Sequence, residues 1–138
     1  MFLTDTHTHL YLEDFSSDID LLISDAANNE VTRFLLPNID SSSYENMIAL
    51  EKKFPESCFA MMGLHPCSVK ENWKEELALV EQKLSERKFV AVGEIGIDLY
   101  WDKTFVKEQG EVFCRQMELA FKYKLPVSIH TRNSFEET

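Results

Sequence analysis

The segment FLTDTHTHL, residues 2–10, places two histidines directly after a short strand-forming stretch. We predict a first strand over Phe2–Thr6, with His7 and His9 at its carboxyl end. Alternate residues of an extended chain point to the same side, so the two imidazoles can bind one metal ion together. Asp5 has the same parity and could orient an imidazole. Taken alone, the pair is equally consistent with two ordinary histidines at a polar strand end.

The rest of the chain alternates short apolar runs, which predict strands, with segments whose apolar residues have helical spacing. Further strands are predicted at Arg33–Leu36, Cys58–Met62, Phe89–Gly93 and Pro126–Ile129. The first helix is predicted from the spacing of Ile19, Leu22, Ile23 and Ala26, which follow the start signal Ser16-Ser17-Asp18. The second is predicted over Ser43–Phe54 and is ended by Pro55. The last two are predicted from Trp73, Leu77, Val80 and Leu84, and from Phe113, Met117, Ala120 and Phe121.

This alternation predicts an α/β fold with a parallel sheet. Strands that are apolar along their whole length are expected to be buried on both faces, and helical connections between them form right-handed βαβ units. No GxGxxG or GxxxxGK[ST] loop follows the first strand, which disfavours a nucleotide-binding doubly wound sheet.

Potential ligands at the strand ends favour a barrel instead. His65, Glu94 and His130 follow or end the third, fourth and fifth predicted strands. In a (β/α)8 barrel of the TIM type, the carboxyl ends of all strands converge on the active-site face. A complete barrel takes roughly 250 residues. We therefore expect a (β/α)8 TIM-barrel fold of which this chain forms about the first five βα units, an incomplete barrel.

Composition narrows the class of function. The chain has 138 residues, of which 44% are hydrophobic and 28% charged, as is typical of folded soluble proteins. Its net charge of −10 argues against broad, non-specific nucleic-acid binding, although bound cations at an acidic site reverse the local sign. No apolar run is long enough to cross a membrane, and the amino terminus has no basic region of a signal peptide. We expect a cytoplasmic protein without membrane association.

The cysteines and serines point to no nucleophilic or disulfide-based function. Cys58, Cys67 and Cys114 form no CxxC pair, which disfavours a zinc ribbon or disulfide framework. We interpret Cys58 and Cys114 as small core residues. The chain also contains no GxSxG motif.

Three further segments supply candidate site residues. Glu94 lies between glycines in VGEIGID, residues 92–98, where a carboxylate can bridge two metal ions, although alone it is better explained as a solvated loop residue. Arg132 lies two residues after His130, so on a strand the two side chains point to the same side. Arg132 could bind a phosphate, or else form a surface ion pair with Glu136 or Glu137. His65 in GLHP could contact substrate, orient another residue or only form a turn.

Together, DTHTHL at 5–10, GLHP at 63–66, GEIGID at 93–98 and PVSIHTRN at 126–133 resemble the TatD family of metal-dependent deoxyribonucleases, within the amidohydrolase-like (β/α)8 barrels. The resemblance extends over nearly the whole chain. It implies that residues 1–138 are the N-terminal portion of a single hydrolase barrel domain.

The resemblance also implies a metal centre and a reaction. Two divalent ions, Mg, Mn or Zn, are expected, with His7 and His9 on one, His130 on the other and Glu94 as the catalytic bridging carboxylate. His65 and Arg132 are the implied contacts to a substrate phosphate. The implied reaction is hydrolysis of DNA phosphodiesters by metal-activated water, of the 3'-5' exonuclease type, with RNA left open as a substrate.

The sequence departs from the family pattern in four respects. Thr4 replaces an apolar residue, Tyr11 replaces the usual Asp or Asn after HxHL, and Cys67 replaces a common His. The remaining strands of the family, with a further His ligand and an Asp, are absent. The chain is therefore a fragment, or is completed by a second chain or a missing C-terminal segment, or has a degenerate site.

Two other functions remain open on the sequence alone. One is an amidohydrolase that acts on a small cyclic amide or ester, in which a carbamylated Lys often bridges the metals where Glu94 stands here. The other is a truncated, catalytically inactive metal-binding fragment.

Overall fold

The structure, a computed structural model, describes residues 2–138 and consists of five strands and four α-helices in strict alternation. The strands are β1 (Leu3–Asp5), β2 (Val31–Pro37), β3 (Cys58–Met61), β4 (Val92–Asp98) and β5 (Val127–Arg132). The helices are α1 (Ile19–Asn28), α2 (Ser41–Lys53), α3 (Trp73–Glu86) and α4 (Val106–Tyr123). Short 3-10 helices lie at Glu13–Phe15 and Pro66–Ser68.

All strand pairs are parallel, and the strands are neighbours in chain order. β1 pairs with β2 and β2 with β3, while β4 pairs with β5. A single parallel bridge between Met62 and Val92 joins the two groups, with Gly93 N donating to Met62 O at 3.0 Å. A doubly wound sheet would reverse its strand order after the first units. The order β1-β2-β3-β4-β5 is that of a (β/α)8 barrel, which confirms the predicted incomplete barrel.

The helices cover one face of the sheet. α2 packs on β3 and α4 packs on β4. Between the two layers lie fully buried side chains that include Leu36, Met47, Met62, Val92, Ile95 and Val112. The opposite face carries Thr4, Arg33, Leu35, Phe59 and Val90 around an open concavity. This face corresponds to the interior of a barrel.

The fourth and fifth strands extend further than predicted. β4 begins at Val92 rather than Phe89 and continues to Asp98, and β5 continues to Arg132 rather than ending at Ile129. The cause is their mutual pairing, which includes Gly96 with His130 and Asp98 with Arg132. As a result Glu94 and His130 lie within strands and not at their ends.

Burial differs among the strands. All seven residues of β4 are buried, as expected for a strand covered on both faces. The three residues of β1 are exposed, and β5 is only partly buried, so burial on both faces was wrong for these two strands. Each of them has a strand neighbour on one side only.

The apolar face of α4 was predicted only in part. Phe113 and Ala120 are buried, but Met117 is 38% and Phe121 88% exposed. Two glutamines, Gln109 and Gln116, are buried on this helix instead, together with Val112 and Leu119. Because these glutamines bond backbone groups of the neighbouring layer, the buried face is rotated away from the apolar stripe.

Smaller predictions were also corrected. Cys58 is buried as expected, but Cys114 is exposed and is not a core residue. In α1, Ile19 and Ile23 are buried while Leu22 is 37% exposed. α2 begins at Ser41, two residues before the prediction, because the Asp40 side chain caps it by accepting a hydrogen bond from Ser42 N at 3.0 Å.

None of the helices in residues 2–138 has the length and apolar character that crossing a membrane would require.

Candidate metal centre

Glu94 lies in the middle of four imidazoles. On one side of the carboxylate, Oε2 is 3.0 Å from His7 Nε2 and 3.7 Å from His9 Nε2. On the other side, Oε1 is 3.0 Å from His130 Nδ1 and 3.6 Å from His65 Nε2. The Glu94 side chain is 8% exposed, so it is a buried carboxylate and not a solvated loop residue.

The donor set fits two metal ions that share one carboxylate. His7, His9 and Glu94 form one group of potential ligands, and His65, Glu94 and His130 form a second, with the ligand atoms of each group within 4.8 Å of one another. Imidazole with carboxylate suits Zn or Mn, whereas Mg prefers oxygen ligands. A carboxylate between two ions is the usual arrangement of two-metal hydrolytic sites.

Close backbone packing holds Glu94 in place. A Cβ atom on Gly63 would lie 2.7 Å from the Gly93 carbonyl carbon, and one on Gly93 would lie 2.7 Å from Ser128 Cβ. Asn38 joins the neighbouring strands at this level. Its backbone N donates to Gly93 O at 3.1 Å, its O accepts from Glu94 N at 3.2 Å, and its side chain donates to Gly63 O at 2.9 Å. The sequence analysis did not identify Asn38 as part of the site.

The ionisation state of Glu94 follows from these neighbours. Burial raises the pKa of the Glu94 carboxyl, but the neighbouring imidazoles, His65 foremost, outweigh burial and hold the pKa well below its ordinary value. Glu94 is therefore a carboxylate throughout the neutral pH range, which is the form that binds metal ions.

Asp98 is a member of the centre that the sequence analysis did not assign. It is 1% exposed, and its Oδ2 lies 2.8 Å from His130 Nε2. Burial raises the pKa of Asp98, but hydrogen bonds from the backbone of Trp101 and from His130 lower it to about 2. The carboxylate can then only accept, so His130 Nε2 carries a hydrogen and donates it to Asp98, which leaves Nδ1, the nitrogen beside Glu94, as the atom that a metal ion would use. Asp98 and Glu94 are an even number of residues apart, so on one strand their side chains point to the same side. This alternation could have identified Asp98 from the sequence.

In His65 the nitrogen that faces Glu94 is the one that carries the hydrogen. Its Nδ1 accepts a hydrogen bond from Cys67 N at 3.0 Å, so the neutral ring carries its hydrogen on Nε2, the atom that faces Glu94. A protonated ring nitrogen donates a hydrogen bond and does not bind a metal ion. Although His65 lies among potential ligands, its geometry is that of a donor to an anionic group.

Buried glutamines of α4 support both residues. Gln116 accepts from Leu64 N at 2.7 Å and donates to Leu64 O at 3.2 Å, which fixes the segment just before His65. Gln109 accepts from Asp98 N at 2.9 Å. Nothing in the apolar periodicity signals these two side chains, because a glutamine on a helix is ordinarily exposed.

The contacts of His7 and His9 differ from the expected ones. Asp5 accepts from the backbone N of His7 at 3.1 Å rather than from an imidazole, and His7 Nδ1 lies 3.3 Å from Ser128 Oγ. His9 Nδ1 lies 2.7 Å from the hydroxyl of Tyr11, a residue singled out by sequence only as a departure from the family pattern. Burial raises the pKa of Tyr11 far above its ordinary value.

Arg132 lies beside the centre over two exposed aromatic rings. Its guanidinium is 4.2 Å from the Tyr100 ring centroid and 5.2 Å from that of Trp101. Tyr100 and Trp101 are 51% and 65% exposed. Among residues 2–138 no ion pair links Arg132 to Glu136 or Glu137, and its guanidinium contacts the two rings instead.

Comparisons with known proteins agree with this geometry. A family model described as TatD related DNase matches residues 4–138. The uncharacterized metal-dependent hydrolase YabD of Bacillus subtilis is 32% identical over 98% of this chain and 52% of its own length. A protein of Erwinia tasmaniensis named 3'-5' ssDNA/RNA exonuclease TatD is 29% identical over 96% of this chain and 51% of its own length.

A crystal structure shows the same fold. The TatD homologue YjjV of Escherichia coli has a TM-score of 0.89 and 31% identity, over 98% of this chain and 52% of that protein. The chain therefore spans about half the length of the relatives it matches.

Proposed function

The chain belongs to the TatD related DNase family, and from that premise we propose that it forms the metal-binding part of a hydrolase that cleaves phosphodiester bonds of DNA. The observation that carries the proposal is one buried carboxylate, Glu94, with imidazole nitrogens beside both of its oxygens. The relative from Erwinia tasmaniensis is named a 3'-5' exonuclease for single-stranded DNA and RNA. We extend that polarity to this chain, with RNA as a possible second substrate.

The proposed ligands follow from the ring nitrogens. His7 and His9 would hold one divalent ion, His130 would hold the other through Nδ1, and Glu94 would be shared between the two. When bound, such ions lower the pKa of water and stabilise negative charge on phosphoryl oxygens. The imidazole-rich donor set favours Mn or Zn over Mg.

Two residues are proposed to bind the substrate phosphate. His65 presents an N–H group towards the centre, and Arg132 supplies a permanent positive charge on the strand that also carries His130. With a net charge of −10, the chain attracts phosphate by local groups and not by its whole surface. The exposed rings of Tyr100 and Trp101 offer a surface on which an unpaired base can stack.

We propose that residues 1–138 are the N-terminal portion of a single barrel domain. The chain supplies five strands of the eight in a complete barrel. A C-terminal segment or a second chain would supply the remaining strands and the further ligands that the family pattern implies. If neither does, the chain is a metal-binding fragment without activity. A function on cyclic amides or esters is less favoured, because a glutamate stands at the bridging position.

The test is release of nucleotides from single-stranded DNA by the purified chain with Mg²⁺ or Mn²⁺. The Glu94→Ala variant is the control. We expect release that depends on the metal and is absent from the control. If the unaltered chain binds the metal but releases no nucleotide from DNA or RNA, nuclease activity of this chain is refuted and the inactive-fragment alternative accounts for the result.

A further inference from the structure

Tyr11 is buried between a candidate ligand and the end of a strand. The residue is 6% exposed, and its hydroxyl oxygen lies 2.7 Å from His9 Nδ1 and forms a short hydrogen bond with the carbonyl oxygen of Pro37. The rings of His9 and Tyr11 meet edge to face, with centroids 5.6 Å apart. The hydroxyl is thus shared between one imidazole nitrogen and one backbone carbonyl.

The direction of these two hydrogen bonds is fixed by chemistry. A backbone carbonyl can only accept, so the Tyr11 O–H donates to Pro37 O. The hydroxyl has a single hydrogen, and what it turns towards His9 is an oxygen lone pair. His9 Nδ1 must therefore carry a hydrogen and donate it to Tyr11. In a neutral imidazole the other nitrogen, Nε2, then has a free lone pair, and this is the atom that lies 3.7 Å from Glu94.

We propose that Tyr11 is a positioning residue that fixes His9 as its Nδ1–H tautomer and keeps Nε2 free to bind a metal ion. The proposal rests on the proposed metal centre for its function, but the tautomer itself is a property of the metal-free chain. It gives a role to a position at which the sequence departs from the family pattern.

The acceptor that orients Tyr11 belongs to the same strand end that holds Glu94. Pro37 ends β2, and the next residue, Asn38, bonds Gly93 O and Glu94 N through its backbone. One strand end therefore sets the position of both the imidazole and the carboxylate. A displaced Tyr11 would misplace His9 relative to Glu94 without changing any ligand.

The first test needs no metal. Two-bond ¹H–¹⁵N correlation spectra of histidine-labelled chain, recorded well above the ordinary histidine pKa of about 6.5, report which nitrogen of each ring carries the hydrogen. We expect His9 in the Nδ1–H form, and a shift towards the Nε2–H form in Tyr11→Phe, which keeps the ring and removes the hydroxyl. An Nε2–H form in the unaltered chain would overturn the proposal whether or not the variant folds.

The matched control is Tyr44→Phe. Tyr44 is also a buried tyrosine, with Lys83 rather than an imidazole at its ring. We expect Tyr44→Phe to leave the His9 signals unchanged. If both variants shift His9 alike, the effect comes from the loss of a buried hydroxyl in general and the proposal fails.

The second test measures affinity for Mn²⁺ by calorimetric titration. Loss of a partner that orients a metal-binding imidazole costs about 10- to 100-fold in affinity, so we expect a drop of that size in Tyr11→Phe and none in Tyr44→Phe. An unchanged affinity together with a changed tautomer would refute positioning by Tyr11. Absence of nuclease activity in the unaltered chain would leave both readouts intact, so the two proposals fail separately.

Discussion

The Nε2 atom of His130 lies 2.8 Å from the Oδ2 atom of Asp98, and the Nδ1 atom of the same ring lies 3.0 Å from Glu94. The parallel pairing of β4 with β5 creates this relationship, because it sets Gly96 opposite His130 and Asp98 opposite Arg132. One strand pair thus supplies a proposed ligand, the carboxylate that would orient it and the proposed bridge.

Replacing Asp98 with Asn is expected to weaken selectively the binding of the second metal ion, the one at His130. The amide cannot supply the charge that holds the Nε2–H form of His130, and loss of such a partner costs about 10- to 100-fold in metal affinity. Titration with Mn²⁺ should show this drop for one ion while the ion at His7 and His9 is unaffected. The control is Asp102→Asn, an exposed aspartate that pairs with Lys70. Equal affinity in both variants would contradict the role given to Asp98.

His65→Ala tests the distinction between a donor and a ligand. Since its Nε2 carries the hydrogen, we expect the variant to bind as many Mn²⁺ ions as the unaltered chain but to lose affinity for inorganic phosphate about tenfold, the cost of one charge-assisted hydrogen bond. His130→Ala should instead lose the second ion. If His65→Ala binds fewer ions, His65 is a metal ligand. The hydrogen bond from Cys67 N would then not keep the hydrogen of His65 on Nε2.

Substitutions at two glycines have opposite expected effects on stability. Gly96 has a φ of +144°, and a Cβ there would lie 1.9 Å from His130 O, whereas a Cβ on Gly110 in α4 meets nothing within 4 Å. We expect Gly96→Ala to lower the free energy of unfolding by about 2 kcal/mol or more and Gly110→Ala to raise it by about 1 kcal/mol. Urea denaturation measures both. A tolerated Gly96→Ala would mean that β4 and β5 approach less closely than observed.

The cap of α2 gives a prediction with a pH dependence. Burial raises the pKa of Asp40, but hydrogen bonds from Ser42 and Ser68 outweigh it and lower the pKa below its ordinary value. A lowered pKa in the folded state stabilises the fold above the ordinary aspartate pKa of about 3.9, and the stabilisation is lost as the pH falls through the lowered value. Asp40→Ala should cost about 1 kcal/mol at neutral pH.

Asp40→Asn is the control for the cap, since it keeps the acceptor and removes the charge. We expect it to cost less than Asp40→Ala at neutral pH, and its difference from the unaltered chain to shrink as the pH falls below about 4. A difference that grows towards acid pH would have the wrong sign for a carboxyl with a lowered pKa.

Much of the architecture could be predicted from the sequence, because strand and helix periodicities are local. The five strands, the four helices and the parallel order follow from apolar runs and their spacing. The strand ends could not be predicted, because β4 and β5 extend each other through pairing over Gly96 and His130. The exposed Phe121 and the buried Gln116 show the same limit, since the face of α4 is chosen by partners distant in sequence.

The candidate site could be predicted as a set of residues but not as a geometry. His7, His9, Glu94 and His130 are brought together as their predicted places at strand ends suggested, although Glu94 and His130 lie within strands. Which nitrogen of each ring is free depends on Tyr11, Cys67 and Asp98, whose hydrogen bonds exist only in the fold. These three residues therefore cannot be identified from the spacing of the candidate ligands in the sequence.

The central claim, that Glu94 bridges two metal ions, is tested most directly by counting bound Mn²⁺ with equilibrium dialysis and recording the electron paramagnetic resonance spectrum of the loaded chain. We expect two ions per chain, the second bound more weakly, and a spectrum of two magnetically coupled ions. In Glu94→Ala we expect loss of the coupling and of affinity for both ions. Two uncoupled ions, or a Glu94→Ala variant that binds both ions with unchanged affinity, would contradict it.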